Sequence, residues 1–289
     1  MSSNIQELRL RLPHIELAAQ VYGPTDGKPV LALHGWLDNA ATFARLAPKL
    51  EGLRIVALDL AGHGLSGHRP GGVSYAIWDY VYDVLAAAEF LEWETFSIIG
   101  HSMGAIVGVL LAGALPERIE RLALIDGVTP HTLEAEAAPQ RFGDALMAQM
   151  QLAKKRKTVH PEFRRAVEMR MNGMTSVSLE AAQLLAARGL IEVAGGYSWS
   201  ADSRLTLPSK LLLTQAQAMA FAKRVACPVS LVVAEQGILL GKAKATYDKV
   251  MSELDFEVTQ LPGGHHLHLD DERGAQLVAD CFNRFMLSS

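Results

Sequence analysis

Cysteine is nearly missing. Cys227 and Cys281 are the two in a chain of 289 residues. That excludes a disulfide framework and makes a reducing, cytoplasmic compartment the expectation. Charge of one sign is not in excess either: 27 Lys and Arg stand against 31 Asp and Glu. A net charge of −4 gives no electrostatic handle for nucleic acid. No apolar run approaches the ~18 residues of a membrane span, so stable membrane insertion is not expected. Met1 to Leu12 carries scattered charges and no apolar h-region, so no secretory leader is expected. Internal repeats are also lacking. What is present is a 49% hydrophobic chain, long enough to bury a sizeable core.

The apolar residues are distributed in two ways. Glu7 to Leu12 alternates apolar and charged residues, Pro13-His14 turns, and Ile15 to Tyr22 returns, which predicts a hairpin. Val30 to Leu33, Arg54 to Leu58, Phe96 to Ile99, Leu122 to Ile125 and Val229 to Val233 are short and mostly apolar without alternation. Runs of that kind suit a parallel sheet covered on both faces. Phe256 to Leu261 is a weaker last strand, for about eight in all. Helical spacing fills the gaps at Ala40 to Leu50, Tyr75 to Leu91, Met103 to Leu115 and Glu272 to Met286. Alternating strands and helices predict an α/β sheet with helices on both faces.

Residues 128–224 break that rhythm. They show little strand character and read as helices at Arg141 to Lys157, Glu162 to Met171, Leu179 to Ala187 and Ser209 to Lys223. The expected organisation is a core built from residues 1–127 and 225–289, with 128–224 as a helical lid over the sheet's carboxyl edge. The basic run Lys154-Lys155-Arg156-Lys157 reads as a solvated helix face. Met147, Met150, Met169, Met171, Met174 and Met219 suggest an adaptable apolar pocket, or simple packing between lid helices.

Gly100-His101-Ser102-Met103-Gly104 fits G-x-S-x-G, with an apolar strand before it and a helical pattern after it. A strand-turn-helix elbow strains the serine backbone, and glycines two residues away remove Cβ atoms that would clash. Ser102 is the nucleophile candidate; a plain helix N-cap is its simpler role. A serine hydroxyl needs a base. His265 follows the Pro262-Gly263-Gly264 turn and can reach back, with His266 and His268 as neighbouring choices. On composition alone, His265, His266, His268 and Asp270 could hold a metal, but no matching ligand set lies elsewhere and none is expected. Gly62-His63-Gly64-Leu65-Ser66-Gly67 also fits G-x-G-x-x-G. The helix-breaking His68 to Gly72 that follows argues against a dinucleotide.

Four motifs together resemble the α/β-hydrolase fold superfamily, in particular its serine hydrolase-like branch. They are His34-Gly35-Trp36-Leu37-Asp38-Asn39, Asp59-Leu60-Ala61-Gly62-His63-Gly64-Leu65-Ser66, Gly100 to Gly104, and Gly264-His265 followed by Asp270. The resemblance spans essentially the whole chain. It implies an eight-stranded, mostly parallel sheet with an inserted helical lid. It selects His265 as the base, and points to the backbone amides of Trp36 and Met103 as the oxyanion hole. The Trp36 side chain packs the core or shapes the pocket.

The family's usual acid follows the strand after the lid, but Gly237 stands at that position. Asp126, at the end of the preceding strand, is the preferred replacement, and Glu235 is the alternative. A turn cap is the structural role open to Asp126. Asp59 is expected to tie its loop together, and Asp38 lies near the predicted catalytic edge. The implied activity is cofactor-free hydrolysis of an ester or thioester of a small, largely apolar substrate through an acyl-enzyme. Carbon–carbon bond hydrolysis, perhydrolase or haloperoxidase-like chemistry on the same residues, and a non-catalytic binding module are the alternatives.

Overall fold

The computed structural model describes residues 5–288, apart from 153 and 155. The N-terminal reading over Met1 to Asn4 and the Lys155 of the basic run therefore lie outside the described residues. The chain opens on strands β1 (Gln6–Arg11) and β2 (Glu16–Tyr22), the antiparallel hairpin expected from their alternation. Then follow β3 (Lys28–Leu33), β4 (Leu53–Leu58), helix α1 (Ile77–Phe90), β5 (Phe96–His101), α2 (Met103–Ala114) and β6 (Ile119–Ile125). After a long excursion the chain returns as β9 (Val229–Gln236), α7 (Lys244–Met251), β10 (Glu257–Gly264), the short α8 (Leu267–Asp270) and α9 (Glu272–Leu287). The excursion holds α3 (Ala138–Leu152), α4 (Phe163–Met171), α5 (Leu179–Gly189), the hairpin β7 (Leu190–Val193) and β8 (Gly196–Trp199), and α6 (Gln215–Lys223).

Eight strands form one sheet in the order β1-β2-β4-β3-β5-β6-β9-β10. β1 and β2 are antiparallel and the rest run parallel from β4 onward. The unalternating apolar runs are explained by two cores. Leu31 and Leu33 of β3 face a cluster with α1 and α2, while Val30 and Ala32 face a cluster with α9. Both faces are dry, so polar alternation has no place in the central strands. Each fully buried Leu or Ile in them contributes about 1.5–3 kcal/mol relative to exposure. Helix α9 is amphipathic and begins at Asp271, whose side chain accepts from the Gly274 amide at 2.6 Å.

The hairpin of β7 and β8 corrects the expectation of a purely helical excursion. Gly195 and Gly196 both take positive φ, which makes the tight turn possible. Its alternation is too short to stand out beside α5, to which it is joined directly. The basic run also differs from the sequence reading. Helix α3 ends at Leu152, so Lys154, Arg156 and Lys157 follow it as exposed residues. Helix α6 packs against α2, and Met219 and Ala222 enter the main core there. No helix among the described residues is long and apolar enough to cross a membrane.

Candidate active site

Three neighbouring strands end at one place. β5, β6 and β9 are adjacent and parallel, and the ladder continues one residue past two of them. The Ser102 amide donates to Ile125 O at 2.9 Å, and the Asp126 amide donates to Val232 O at 2.9 Å. Ser102 and Asp126 are thus the first residues off neighbouring strands. Both turn sharply, with φ of 52° and 45°. For residues with a Cβ that left-handed backbone costs on the order of 1–3 kcal/mol each, so the surrounding structure must hold it. Part of the hold is close packing. A Cβ on Gly104 would overlap the backbone of Leu33, and a Cβ on Gly127 would lie 2.9 Å from Ser102 Cα.

His265 comes from the loop after β10. Its Nδ1 lies 2.6 Å from Asp126 Oδ2, and the same oxygen accepts from the Ile238 amide at 2.7 Å. The Asp126 side chain is fully buried. Gly237 makes this contact possible, because a Cβ on it would overlap the Asp126 carboxylate. The position that lacks the usual acid is therefore filled, in space, by the carboxylate of the next strand. Glu235 is exposed at the end of β9, away from this contact.

His101, inside the elbow, donates from Nε2 to the carbonyl oxygen of His265 at 3.0 Å. Its ring is wholly buried. Burial, then the neighbouring His268, His265 and His266, hold its pKa well below the usual imidazole value. Ser102 and His265 line one cavity of about 540 Å³. Among the described residues no hydrogen bond joins their side chains.

The turn after β3 supplies another wall. Gly35, Trp36, Leu37 and Asp38 all line the cavity. Trp36 is 40% exposed, and its indole donates to Leu205 O at 2.9 Å, so its side chain lies outside the core. Leu37 takes a φ of 61° and the Asp38 amide donates to Gly35 O at 3.2 Å. His34 ties this turn to the next loop, accepting from the Leu60 amide at 2.9 Å on Nε2. Asp59 gathers that loop as expected. Its carboxylate accepts from the amides of Ala40 and Leu65, both at 2.7 Å, and from Arg188 Nε at 3.0 Å. The glycines that mimic a dinucleotide fingerprint serve packing here. A Cβ on Gly64 would overlap Asp59, and one on Gly62 would crowd Tyr75.

The histidine cluster does not converge on a metal. His265 faces Asp126, His266 Nε2 lies 2.8 Å from Asp38 Oδ2, His268 lies 3.3 Å from Thr42 Oγ1, and Asp270 accepts from the Ser178 amide at 2.8 Å. A different trio, Asp38, His101 and His266, offers ligand atoms within 4.8 Å of one another. The cation already there is Arg170, 2.8 Å from Asp38 Oδ1 and 3.3 Å from His266 Nε2. Burial opposes the charge on Asp38, but His266 and Arg170 hold its carboxyl well below the usual carboxylate range. Nothing in the sequence pointed to Arg170, which comes from α4; Asp38 of the H-G turn and His266, weighed as an alternative base, were the members of this group the sequence singled out.

The cavity's remaining walls are mostly apolar: Ile77, Trp78, Ile106, Leu207, Leu211 and Leu212 contribute. Of the six methionines that the sequence left open between a pocket and packing of lid helices, Met174 reaches the cavity. Met147, Met150 and Met169 project into solvent, Met219 packs in the core, and Met171 packs between α4 and α5. Helical spacing alone could not tell the outer face of α3 from its inner one.

A family model described as the alpha/beta hydrolase fold matches residues 28–163. A serine hydrolase-like protein of Danio rerio is 35% identical over 285 residues, covering 96% of this chain and 87% of that protein. A crystal structure of a hypothetical protein from Pseudomonas aeruginosa PAO1 superposes with a TM-score of 0.95 at 63% identity, covering 98% of this chain and all of that one. The thioesterase domain from the curacin biosynthetic pathway superposes with a TM-score of 0.82 at 25% identity, covering 95% of this chain and 99% of that one.

Proposed function

The chain belongs to the α/β-hydrolase fold family, in its serine hydrolase-like branch, and from that premise we propose that it hydrolyses a carboxylic ester or thioester through an acyl-enzyme on Ser102. The observation that carries the proposal is the 2.6 Å contact of His265 Nδ1 with Asp126 Oδ2. An imidazole whose Nδ1–H is committed to a buried carboxylate presents a lone pair at Nε2, the form a general base requires. Serine–histidine hydrogen bonds are often unformed before substrate binds, so an unformed one is compatible with this role.

Ser102 Oγ attacks the carbonyl carbon as its proton passes to His265 Nε2. Asp126 stabilises the imidazolium and keeps its orientation. The carbonyl oxygen becomes an oxyanion held by the amides of Met103 and Trp36. Met103 begins α2, where the first amides have no acceptor within the helix and the dipole favours negative charge. Each donor of such a pair is worth roughly 10²–10³ in kcat. Collapse expels the alcohol or thiol, which takes the proton from His265. Water then attacks the acyl group as His265 accepts its proton. The second collapse releases the carboxylic acid and returns the proton to Ser102.

In this reading no cofactor takes part, and residues 128–224 act as a lid. Leu205, Leu207, Leu211 and Met174 from that segment wall the cavity, and α6 on α2 anchors it to the core. The apolar walls suit a small, largely apolar acyl or alkyl group. The thioesterase among the similar structures favours including thioesters. Steady-state hydrolysis of short and medium-chain neutral esters and thioesters tests the reading. Turnover by the wild type and its loss in Ser102→Ala are expected. Equal turnover by the two would overturn it.

A further inference from the structure

Two consecutive histidines on one loop each face a different buried aspartate. His265 meets Asp126 at 2.6 Å and His266 meets Asp38 at 2.8 Å. The second pair has no part in the chemistry above, yet it lies against the same cavity. Its acid belongs to the turn that carries the Trp36 amide. Its cation, Arg170, belongs to α4 of the inserted segment and also donates through Nη1 to Thr175 O at 2.9 Å.

We propose that Asp38 and Arg170 are positioning residues that hold the oxyanion turn and the catalytic histidine loop in register, so that docking of α4 completes the active site. The proposal rests on the reading of His265 as base and the Trp36 amide as oxyanion donor. Three anchors then fix His265: Asp126 on its ring, His101 on its carbonyl, and Asp38 through the next residue, His266. Asp38 is the one of these that also belongs to the oxyanion turn. It spans both halves of the catalytic geometry with a single carboxylate.

The electrostatics explain why α4 is required. The Asp38 side chain is 2% exposed and its charge must be met inside the protein. His266 supplies a hydrogen bond and Arg170 supplies the full positive charge, 14% exposed at the cavity wall. Removing one partner of a buried ion pair leaves the other uncompensated and forces a local rearrangement. The Asp38 carboxylate belongs to the oxyanion turn and is bonded to the loop of His265, so a rearrangement around it displaces both. A misplacement of about 1 Å at such a site can cost on the order of 10² in rate. The effect is expected in kcat, because both elements act on the transition state.

The test uses Arg170→Ala, Asp38→Asn and the double variant, with a neutral short ester and with a fluorophosphonate that labels Ser102. Arg170→Ala should lower kcat about 10- to 100-fold with KM changed by less than about threefold, and the labelling rate should fall in parallel. Added methylguanidinium should restore part of the rate, since Arg170 lines an accessible cavity. It should restore nothing in the double variant, whose activity should match that of Asp38→Asn alone. Circular dichroism separates loss of fold from loss of register, and guanidinium rescue reads the charge itself. A rise in KM at constant kcat would assign Arg170 to substrate binding and overturn the proposal. So would rescue that persists without the Asp38 charge, or wild-type kcat in Arg170→Ala. Failure of the base assignment is read separately: His265→Ala would then turn over as fast as the wild type.

Discussion

Asp126 Oδ2 lies 2.6 Å from His265 Nδ1 because Gly237, on the neighbouring strand's end, has no Cβ to obstruct it. Two positions that are 111 residues apart in sequence are thus one position in space. Asp126→Asn keeps the shape but removes the negative charge and lets an N–H donor face the imidazole, which favours the wrong tautomer. We expect kcat to fall by roughly 10³–10⁴. Glu235→Gln should stay within about twofold of wild type. Steady-state kinetics on one ester measures both.

The converse concerns Gly237. A side chain there must displace the Asp126 carboxylate, so Gly237→Ala should destabilise the fold by about 1–3 kcal/mol and impair turnover. The acid can also be moved. In the double variant Asp126→Gly and Gly237→Asp, the carboxylate returns to the β9 end while glycine relieves the positive φ at 126. Turnover above that of Asp126→Gly alone is the expected result, with urea unfolding as the check on stability.

How legible was this from the sequence? The elbow, the H-G turn and the central strands were, because glycine spacing and apolar runs are local. The hairpin of β1 and β2 was legible from its alternation. Gly237 was legible as a departure from the family pattern and Asp126 as its preferred replacement, but the choice of Asp126 over Glu235 was not closed. That depends on β6 and β9 being neighbours in the sheet, a fact of topology. Arg170 was silent because its partner Asp38 is 132 residues away and an arginine on a short helix reads as surface. The methionines stayed ambiguous because the outer face of α3 carries apolar residues into solvent, where spacing cannot distinguish wall from surface.

The buried histidines predict acid sensitivity. Burial lowers the pKa of His34 to about 4 and of His63 to about 3, and lowers those of His101 and His268 well below the ordinary value. The folded state keeps these rings neutral while the unfolded chain protonates them near pH 6.5. Stability is therefore full above that value and falls as pH drops through it, by up to about 1.4 kcal/mol per pH unit for each ring. Unfolding midpoints measured from pH 8 to pH 5 should decline steadily below about pH 6.5. A flat profile would contradict the neutral assignment.

Arg188 is the counter-charge of Asp59, with Nε 3.0 Å from both carboxylate oxygens. Asp59 is fully buried and gathers the loop after β4, bonding the Ala40 amide beyond the H-G turn. Arg188→Met should cost about 3–5 kcal/mol, because it leaves that carboxylate without its cation. Urea denaturation measures the loss directly.

The central claim is a covalent acyl-enzyme on Ser102. Intact-mass spectrometry after incubation with a fluorophosphonate, on wild type and on Ser102→Ala in parallel, tests it most directly. One adduct on the wild type, mapped to Ser102 and missing from the variant, is the predicted result. An unmodified, folded wild type, or equal modification of both proteins, would contradict it.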